Sequence, residues 1–472
     1  VKRVTDEDGL LAPGFAHAIV VGGSIAGLVA AQVLTSHFDR VTILDRDTFP
    51  VGVGSRKGVP QACHVHVLLA RGREALEELF PGLQDELGRA GAPWINVGTE
   101  LAWYLPAGWK QIYPSPIAGR AASRDLFEST LRARVKANPN VCLIEAVEVT
   151  GFLHEGGPGK GRVTGVSYRH RNGGESAKRI SAGLVVDTTG RHSKAPHWLE
   201  SFGYPVPDQT VVNAFLGYAS RFYELPQGFK ATWKMLVIHP AAPTILRGGA
   251  LLSVEGDRCI VTLGGMGKQY PPTDEEGFLD YARSLRSPLL YEAIAHARPL
   301  GDIAGYRRTE NHMRHYERLR RRPENFVVLG DAVCAFNPVY GQGMTTGTLG
   351  AVALGRLLAR YARDCRGDLT GLAGHFQRRL ARINETPWLL ATSEDFRCPI
   401  TEGARPGLAT RLAQGYFTRV LARATTDKHV CQAMLEVTHL LKHPMTLFQP
   451  GIMWRTMRPA SSSANPPAPD RY

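Results

Sequence analysis

The stretch Ala18-Ile-Val-Val-Gly-Gly-Ser-Ile-Ala-Gly27, read with Val41-Thr-Ile-Leu-Asp45, leaves this chain few folds to choose from. An apolar run that stops at glycines and resumes as Leu28, Val29, Ala30, Ala31 and Val33 reads as a buried parallel strand, a tight turn and a helix. A second buried strand follows, and the whole is a βαβ unit of a dinucleotide-binding fold. Gly22 permits the turn with Gly23 behind it, the small Ser24 lets the backbone approach a pyrophosphate, and Gly27 lets the helix lie against the sheet. The helix N-terminus offers free N–H groups to phosphate. Asp45, 23 residues after Gly22 and followed by Arg46, stands where an acid accepts hydrogen bonds from an adenosine ribose. Ser24 replaces the middle glycine of G-x-G-x-x-G, and the motif by itself suits FAD and NAD(P) equally.

At 472 residues the chain exceeds one ordinary core, so two or three packed regions are expected. Hydrophobic residues at 43% with 21% charged describe a globular protein, and no apolar run reaches the length of about 18 residues that spans a membrane. Ala16 to Leu34 is broken by glycines and belongs to the nucleotide fold, so no signal peptide is read there and a cytoplasmic location is expected. The seven cysteines stand in no C-x-x-C pair, which points to free thiols. His64 and His66 have a spacing compatible with metal ligands, yet packing or polar contacts account for them, and no metal is expected. Lys and Arg exceed Asp and Glu to give +13. The basic residues occur singly along helices, and the one dense cluster, Arg318 to Arg322, resembles a solvated helix end, so no nucleic-acid partner is read from the charge.

Along the chain, Arg56-Lys-Gly-Val-Pro-Gln61 is a Pro/Gly loop followed by His64, His66 and a helix over Val67 to Leu79. Leu101 to Pro114, with Trp103, Tyr104, Trp109 and Tyr113, reads as a β-hairpin whose rings either wall a pocket or pack on a sheet. Ala122 to Arg132 is an amphipathic helix capped by Ser123, and Val141 to Val149 returns as one strand. Leu184 to Asp187 is a buried strand ending in Thr-Thr-Gly-Arg191. From Val211 to Met266 alternating strands suggest an antiparallel sheet of the kind that holds a substrate between layers. One helix is expected over Glu275 to Leu290. Asn325 to Asp331 is a further buried strand, followed by Asn-Pro-Val-Tyr-Gly-Gln-Gly-Met344 and a long helix to about Ala362. Asp331 suits a sugar-like hydroxyl, and the helix start near Met344 suits developing negative charge. Leu369 to Arg458 reads as helices. Leu440 to Met457 reads as a core-packed helix pair, with peripheral contact to a lipid surface as the alternative. Pro459 to Tyr472 is expected to be disordered.

Gly22 to Gly27, Asp187-Thr-Thr-Gly-Arg191 and Gly330-Asp331 with Pro338 to Met344 stand in a fixed order that resembles the FAD-dependent monooxygenases of the para-hydroxybenzoate hydroxylase type. With Arg-Lys-Gly-Val-Pro-Gln61 and Ala391-Thr-Ser-Glu-Asp395, the set is most similar to bacterial flavin epoxidases acting on polyene precursors of polyether antibiotics. The resemblance implies an α/β (α+β) architecture. A Rossmann-like FAD-binding domain would be assembled from 1–100, 121–205 and 301–365, with an inserted antiparallel β-sheet substrate domain from 101–120 and 206–300. A C-terminal helical region, 366–458, and a tail, 459–472, complete it.

The same resemblance implies roles for named residues. Arg124 reaches the ribityl and pyrophosphate region, Asp331 binds the ribityl chain, and Pro338, Gly341, Gln342, Gly343, Met344 and Thr345 lie beside the flavin pyrimidine. Arg56, Gly58 and Val59 pass beside the isoalloxazine, and the Val149 backbone meets the adenine. The implied reaction inserts one oxygen atom from O2 through a flavin C4a-hydroperoxide, epoxidising an alkene of a small apolar substrate. Aromatic hydroxylation and prenyl-chain reduction are the alternatives. Electrons would come from NAD(P)H directly or through a separate flavin reductase. Asp187 is followed by Thr188 instead of glycine, a departure in the motif associated with NAD(P)H. Flavin halogenation is disfavoured because the Trp-x-Trp-x-Ile-Pro signature is absent. An alkene needs no general base, so no acid–base residue is assigned; Gln61, His64 and Tyr340 are candidates for lining the pocket.

Overall fold

A computed structural model describes residues 15–171, 176–226, 228–229, 231–365, 367–458 and residue 468. The expected tail lies outside the described residues except for Ala468. The opening apolar runs form a parallel sheet of five strands in the order Phe326–Val328, Leu184–Asp187, Phe15–Val21, Phe38–Leu44 and Val141–Ile144. Apart from the half-buried edge strand Val141–Ile144, the strands are buried on both faces at their carboxyl-end residues, which explains why they read as hydrophobic runs. Val21 pairs with both Leu44 and Asp187, and Asp187 with Val328. The register therefore brings Gly22, Asp45, Thr188 and Gly330 to one edge, the carboxyl ends of the strands, where open α/β sheets bind ligands.

The helix Ile25–Leu34 packs so closely on this edge that a Cβ at Gly27 would lie 1.8 Å from the Gly22 carbonyl oxygen. Gly22 itself has φ +103°, in the left-handed region that disfavours other residues. The long helix Gly343–Asp364 and the helix Leu372–Asp395 cover the same core.

Above the strand edge stands a second sheet of seven strands, ordered Arg298–Tyr306, Gly217–Glu224, Arg258–Gly265, Arg247–Val254, Met235–Ile238, Leu101–Leu105 and Gly108–Trp109. Every pairing in it is antiparallel except that of Met235–Ile238 with Leu101–Leu105. The aromatic hairpin thus joins the inserted sheet, and the twofold period of a strand gives its rings different fates. Trp103 faces the cavity described below, Tyr104 and Trp109 pack with centroids 4.8 Å apart into the sheet's own core, and Tyr113 packs against the C-terminal helices.

Four expected elements differ in their limits. The strand expected over Asn325 to Asp331 is Phe326–Val328, and Gly330–Ala332 forms a short turn after it. Val141 to Val149 is two strands, because Ala146 takes φ +54° and donates its N–H to the Asp47 carbonyl, turning the chain out of the parallel sheet and into the strand Val147–Glu155. The helix expected from Val67 starts at Ala70, whose N–H donates to His439 Nδ1 at 3.2 Å. Glu275 to Leu290 spans two helices, Glu275–Arg283 capped by Ser284 and Leu289–Ile294 with Pro288 at its N-cap. Ser123 caps the helix Arg124–Lys136 as expected, its side chain accepting from the Leu126 N–H. In the segment from Leu440 to Met457, Leu447 and Thr456 are buried while Met445, Met453, Trp454 and Met457 are exposed. Among the described residues no helix is long and apolar enough to cross a membrane.

Candidate active site

A continuous cavity of about 1630 Å³ runs from the carboxyl edge of the parallel sheet, under the inserted sheet, to the C-terminal helices. Pockets for one drug-sized ligand occupy about 300–1,000 Å³. The space therefore admits a dinucleotide and a second molecule together. At the sheet edge it is bounded by the turn Gly22 to Ala26, by Asp45 and Arg46, and by Val147, Glu148, Val149 and Trp198. Val149 is buried and Arg46 is exposed at the rim.

Behind the turn lies a buried network of charge. Glu128, one helical turn after Arg124 and one before Arg132, accepts from Arg56 Nε at 2.6 Å and lies 2.7 Å from Arg124 Nη1 and 3.8 Å from Arg132 Nη1. Arg56 Nη1 also reaches Asp47 at 2.8 Å and Asp45 at 3.4 Å. Arg124 Nη2 donates to Ser24 Oγ at 2.8 Å. Burial would raise the Glu128 carboxyl, but Arg124 and Arg56 override it and hold Glu128 below the ordinary range. Asp45 is the opposite case, raised by burial despite Arg56, with its oxygens accepting from the Gly23 and Asp47 N–H groups at 2.6 and 2.8 Å. In the loop expected to run beside an isoalloxazine, Arg56 lines the cavity while its head is held by three carboxylates, Asp45, Asp47 and Glu128. Gly58 donates its N–H to the same Asp47, and Val59 is buried on the cavity wall.

Farther along the cavity Asp331 sits on the short turn Gly330–Ala332 that follows the strand Phe326–Val328. Its carboxylate accepts no hydrogen bond from the described residues, and burial raises its pKa against the pull of Arg191 and Arg124. Thr188, in place of the usual glycine, donates its hydroxyl toward the carbonyls of Val21 and Gly22 at 2.9 and 2.8 Å, tying two strand ends together. Asn337 accepts from the Val339 N–H, Gly341 takes φ +65°, and the Gly343–Asp364 helix begins two residues later, its first N–H groups without partners inside the helix. A Cβ at Gly343 would lie 3.5 Å from Asp331 Oδ1, so the backbone approaches the acid closely.

The remaining sequence candidates bound the inner chamber. His64 is buried, hydrogen-bonded through Nδ1 to Ser220 Oγ at 2.8 Å, and set edge-on to Tyr218 at 4.5 Å. Burial, with His66 nearby, pushes its pKa down to about 3, so it is neutral at working pH. Gln61 lines the wall on the short helix Pro60–Cys63. Tyr340 also lines it, with its hydroxyl donating to Asp395 at 2.6 Å. Beyond them the walls are Trp103, Met235, Val237, Leu390, Phe417, Leu447 and Phe448. Glu128 and Asp47 escaped the sequence reading, although the Arg-x-x-x-Glu-x-x-x-Arg spacing on one helix face was there to find. Ser220, with Thr262 behind it at 2.6 Å, carried no such signal.

The sequence profile described as FAD binding domain matches residues 16–382. The chain belongs to this FAD-binding family. Its members are built like para-hydroxybenzoate hydroxylase, and the chain is accordingly a FAD-dependent monooxygenase. Protein Rv3254 of Mycobacterium tuberculosis is 32% identical over 90% of this chain and 90% of its own. The squalene monooxygenase of Mus musculus is 26% identical over 74% of this chain, which spans only 56% of that protein. Among solved structures, the flavin-dependent brominase Bmp2 superposes with a TM-score of 0.65 at 12% identity, covering 90% of this chain and 94% of the brominase, a likeness of fold alone.

Proposed function

We propose that this FAD-dependent monooxygenase epoxidises an alkene of an apolar, polyene or isoprenoid-like secondary-metabolite precursor. The observation that carries the reading is the continuity of the cavity: an end lined by the Gly22 turn, Asp45, Arg46 and Asp331 opens into an apolar, aromatic chamber with His64 neutral on its wall. An alkene takes up an electrophilic oxygen without a general base, whereas a phenol gains from one. The likeness to squalene monooxygenase favours the same substrate class.

The residues fit FAD. Gly22, Gly23, Ser24 and Gly27 with the first helix N-terminus hold the pyrophosphate, and Arg124 supports Ser24 from behind. Asp45 and Arg46 take the adenosine ribose, and Val149 the adenine. Asp331, a carboxylate without a hydrogen-bond donor from the described residues, takes a ribityl hydroxyl. Pro338, Gly341, Gln342, Gly343 and Met344 meet the pyrimidine, where the helix dipole favours negative charge. Arg56, Gly58 and Val59 shape the loop that closes the cleft. Bound FAD supplies the activation of O2 to an electrophilic oxygen. Gln61, His64 and Tyr340 bound the reacting space, and the aromatic walls keep out water that would divert oxygen to hydrogen peroxide. Alkene, O2, two electrons and two protons give epoxide and water, with electrons drawn from NAD(P)H directly or through a flavin reductase.

The test is incubation of FAD-loaded enzyme with NADPH, with and without a flavin reductase, under isotopically heavy O2 and a panel of polyenes and phenols. Gain of one heavy oxygen across an alkene is expected. Gain of two hydrogens, oxygen only on phenol rings, or hydrogen peroxide alone overturns the reading.

A further inference from the structure

Ala391-Thr-Ser-Glu-Asp395 closes the helix Leu372–Asp395. Asp395 is 0% exposed, and its carboxylate is met by donors alone. Oδ1 accepts from Tyr340 Oη at 2.6 Å and from Asn337 Nδ2 at 3.0 Å, and Oδ2 accepts from Asn311 Nδ2 at 2.5 Å. The two amides are themselves fixed: Asn311 Oδ1 accepts the Asn337 N–H at 2.8 Å, and Asn337 Oδ1 accepts the Val339 N–H at 3.3 Å. Neither can turn over without losing a backbone bond. Asn311 belongs to the strand Asn311–Arg314, whereas Asn337 and Tyr340 frame the turn that delivers Gly341 and the Gly343–Asp364 helix. The same helix end places Leu389, Leu390, Ser393 and Glu394 on the chamber wall.

We propose that Asp395 is a positioning residue that sets the height of the Asn337–Gly341 turn against the flavin pyrimidine and ties that turn to the wall of the substrate chamber. The inference rests on the flavin placement given above. A buried carboxylate costs free energy that a packing role would never require. Only an acceptor-only group takes three donors from two elements at once. An amide here would aim its own NH2 at either Asn311 or Asn337, donor against donor.

The groups facing the carboxyl are Tyr340, Asn337 and Asn311 across from it, and Glu394 on its own helix, itself paired with Arg397 at 2.9 Å. Burial raises the Asp395 pKa to about 7, with the Glu394 charge adding to it and the three hydrogen bonds opposing it. Protonation removes one acceptor, so the turn is held best above neutrality.

The experiment compares wild type, Asp395→Asn, Tyr340→Phe and the double variant Asn311→Asp with Asp395→Asn, each reconstituted from apoprotein with FAD. Dissociation constants come from flavin fluorescence between pH 6 and 8, and midpoint potentials from dye-coupled reduction. Loss of a charged hydrogen-bond node predicts that Asp395→Asn weakens FAD about tenfold or more at pH 8 and shifts its potential, with Tyr340→Phe in the same direction by less. The double variant restores an acceptor opposite the new amide and should recover affinity to within about threefold. Wild-type affinity should rise from pH 6 to 8, and that of Asp395→Asn should stay flat. An Asp395→Asn protein with wild-type affinity and potential overturns the inference alone, as does a double variant no better than the single. Should Asp395→Asn fail to fold, unchanged affinity and potential in Tyr340→Phe overturn it. A wild-type protein that binds no FAD overturns the flavin placement and the inference with it.

Discussion

Replacing Glu128 by glutamine removes one charge from a set of three arginines and three carboxylates, Arg56, Arg124 and Arg132 with Asp45, Asp47 and Glu128. The side chains of Arg56, Arg124 and Glu128 are each 6–7% exposed, so solvent screens little of the loss. Breaking a buried ion pair from one side costs about 3–5 kcal/mol. Unfolding a chain of 472 residues carries an entropy of about 1 kcal/mol/K, so the apoprotein should melt about 3–5 °C lower. On the flavin placement proposed above, bound FAD changes the sum, because a diphosphate beside Ser24 would return negative charge to Arg124. The rise in Tm on adding FAD should therefore be larger in Glu128→Gln than in wild type. The assay is differential scanning fluorimetry at pH 7, with and without FAD. Since Glu128 is held below the ordinary carboxylate range, its contribution is fully present there and is lost only as pH falls through its folded-state value. The exposed Arg162–Glu155 pair, 60% and 62% exposed, is the control, and Glu155→Gln should move Tm by less than about 1 °C. An apo Glu128→Gln protein that melts within about 1 °C of wild type, or an unchanged FAD-induced rise, refutes the charge argument.

Gly27→Ala puts a Cβ 1.8 Å from the Gly22 carbonyl, forcing helix and strand apart; protein recovered without FAD, or not recovered as folded chain, is expected, and wild-type flavin content would contradict the packing described. Asp331→Ala removes an acceptor worth about 1.5–3 kcal/mol and should weaken FAD by about 10- to 150-fold in an equilibrium titration, with substrate affinity of the loaded enzyme little changed. The pKa values of His64 and His439, about 3 and about 4, keep both neutral, so neither should contribute an inflection to kcat/KM between pH 6 and 8; an inflection abolished by His64→Gln would contradict this. Because the unfolded chain binds those protons more tightly, the contribution of His64 and His439 to stability is complete above about 6.5 and declines toward pH 4. His64→Gln should shrink the difference between urea midpoints at pH 8 and pH 5.

The elements that sequence reasoning located are those whose cause is local. Ala18 to Gly27 announces a strand, a turn and a helix because burial on both faces makes the run apolar and close approach demands glycine, and both constraints act within ten residues. The turn at Gly341 and the helix start that follows it were legible for the same reason, as was the Ser123 cap. What escaped is made by residues far apart. The start of the helix at Ala70 is set by His439, the break at Ala146 by the backbone of Asp47, and the direction of Arg56 by Glu128, 72 residues away. Each of these is a polar or charged group satisfied by a partner on another element, and the requirement that buried polar groups be paired says only that a partner exists, not where. Thr188 makes the point from the other side. In the sequence it weakens a motif, and in the fold its hydroxyl joins two strand ends at the mouth of the cleft. Asp395 extends it: the motif was visible in the sequence, but its purpose depends on Asn311 and Asn337 facing one carboxylate from separate elements. Local pattern therefore settles which backbone surrounds the cleft, while the placement of charge within it is settled by long-range pairing, and the perturbations most informative about function are those made at the pairs.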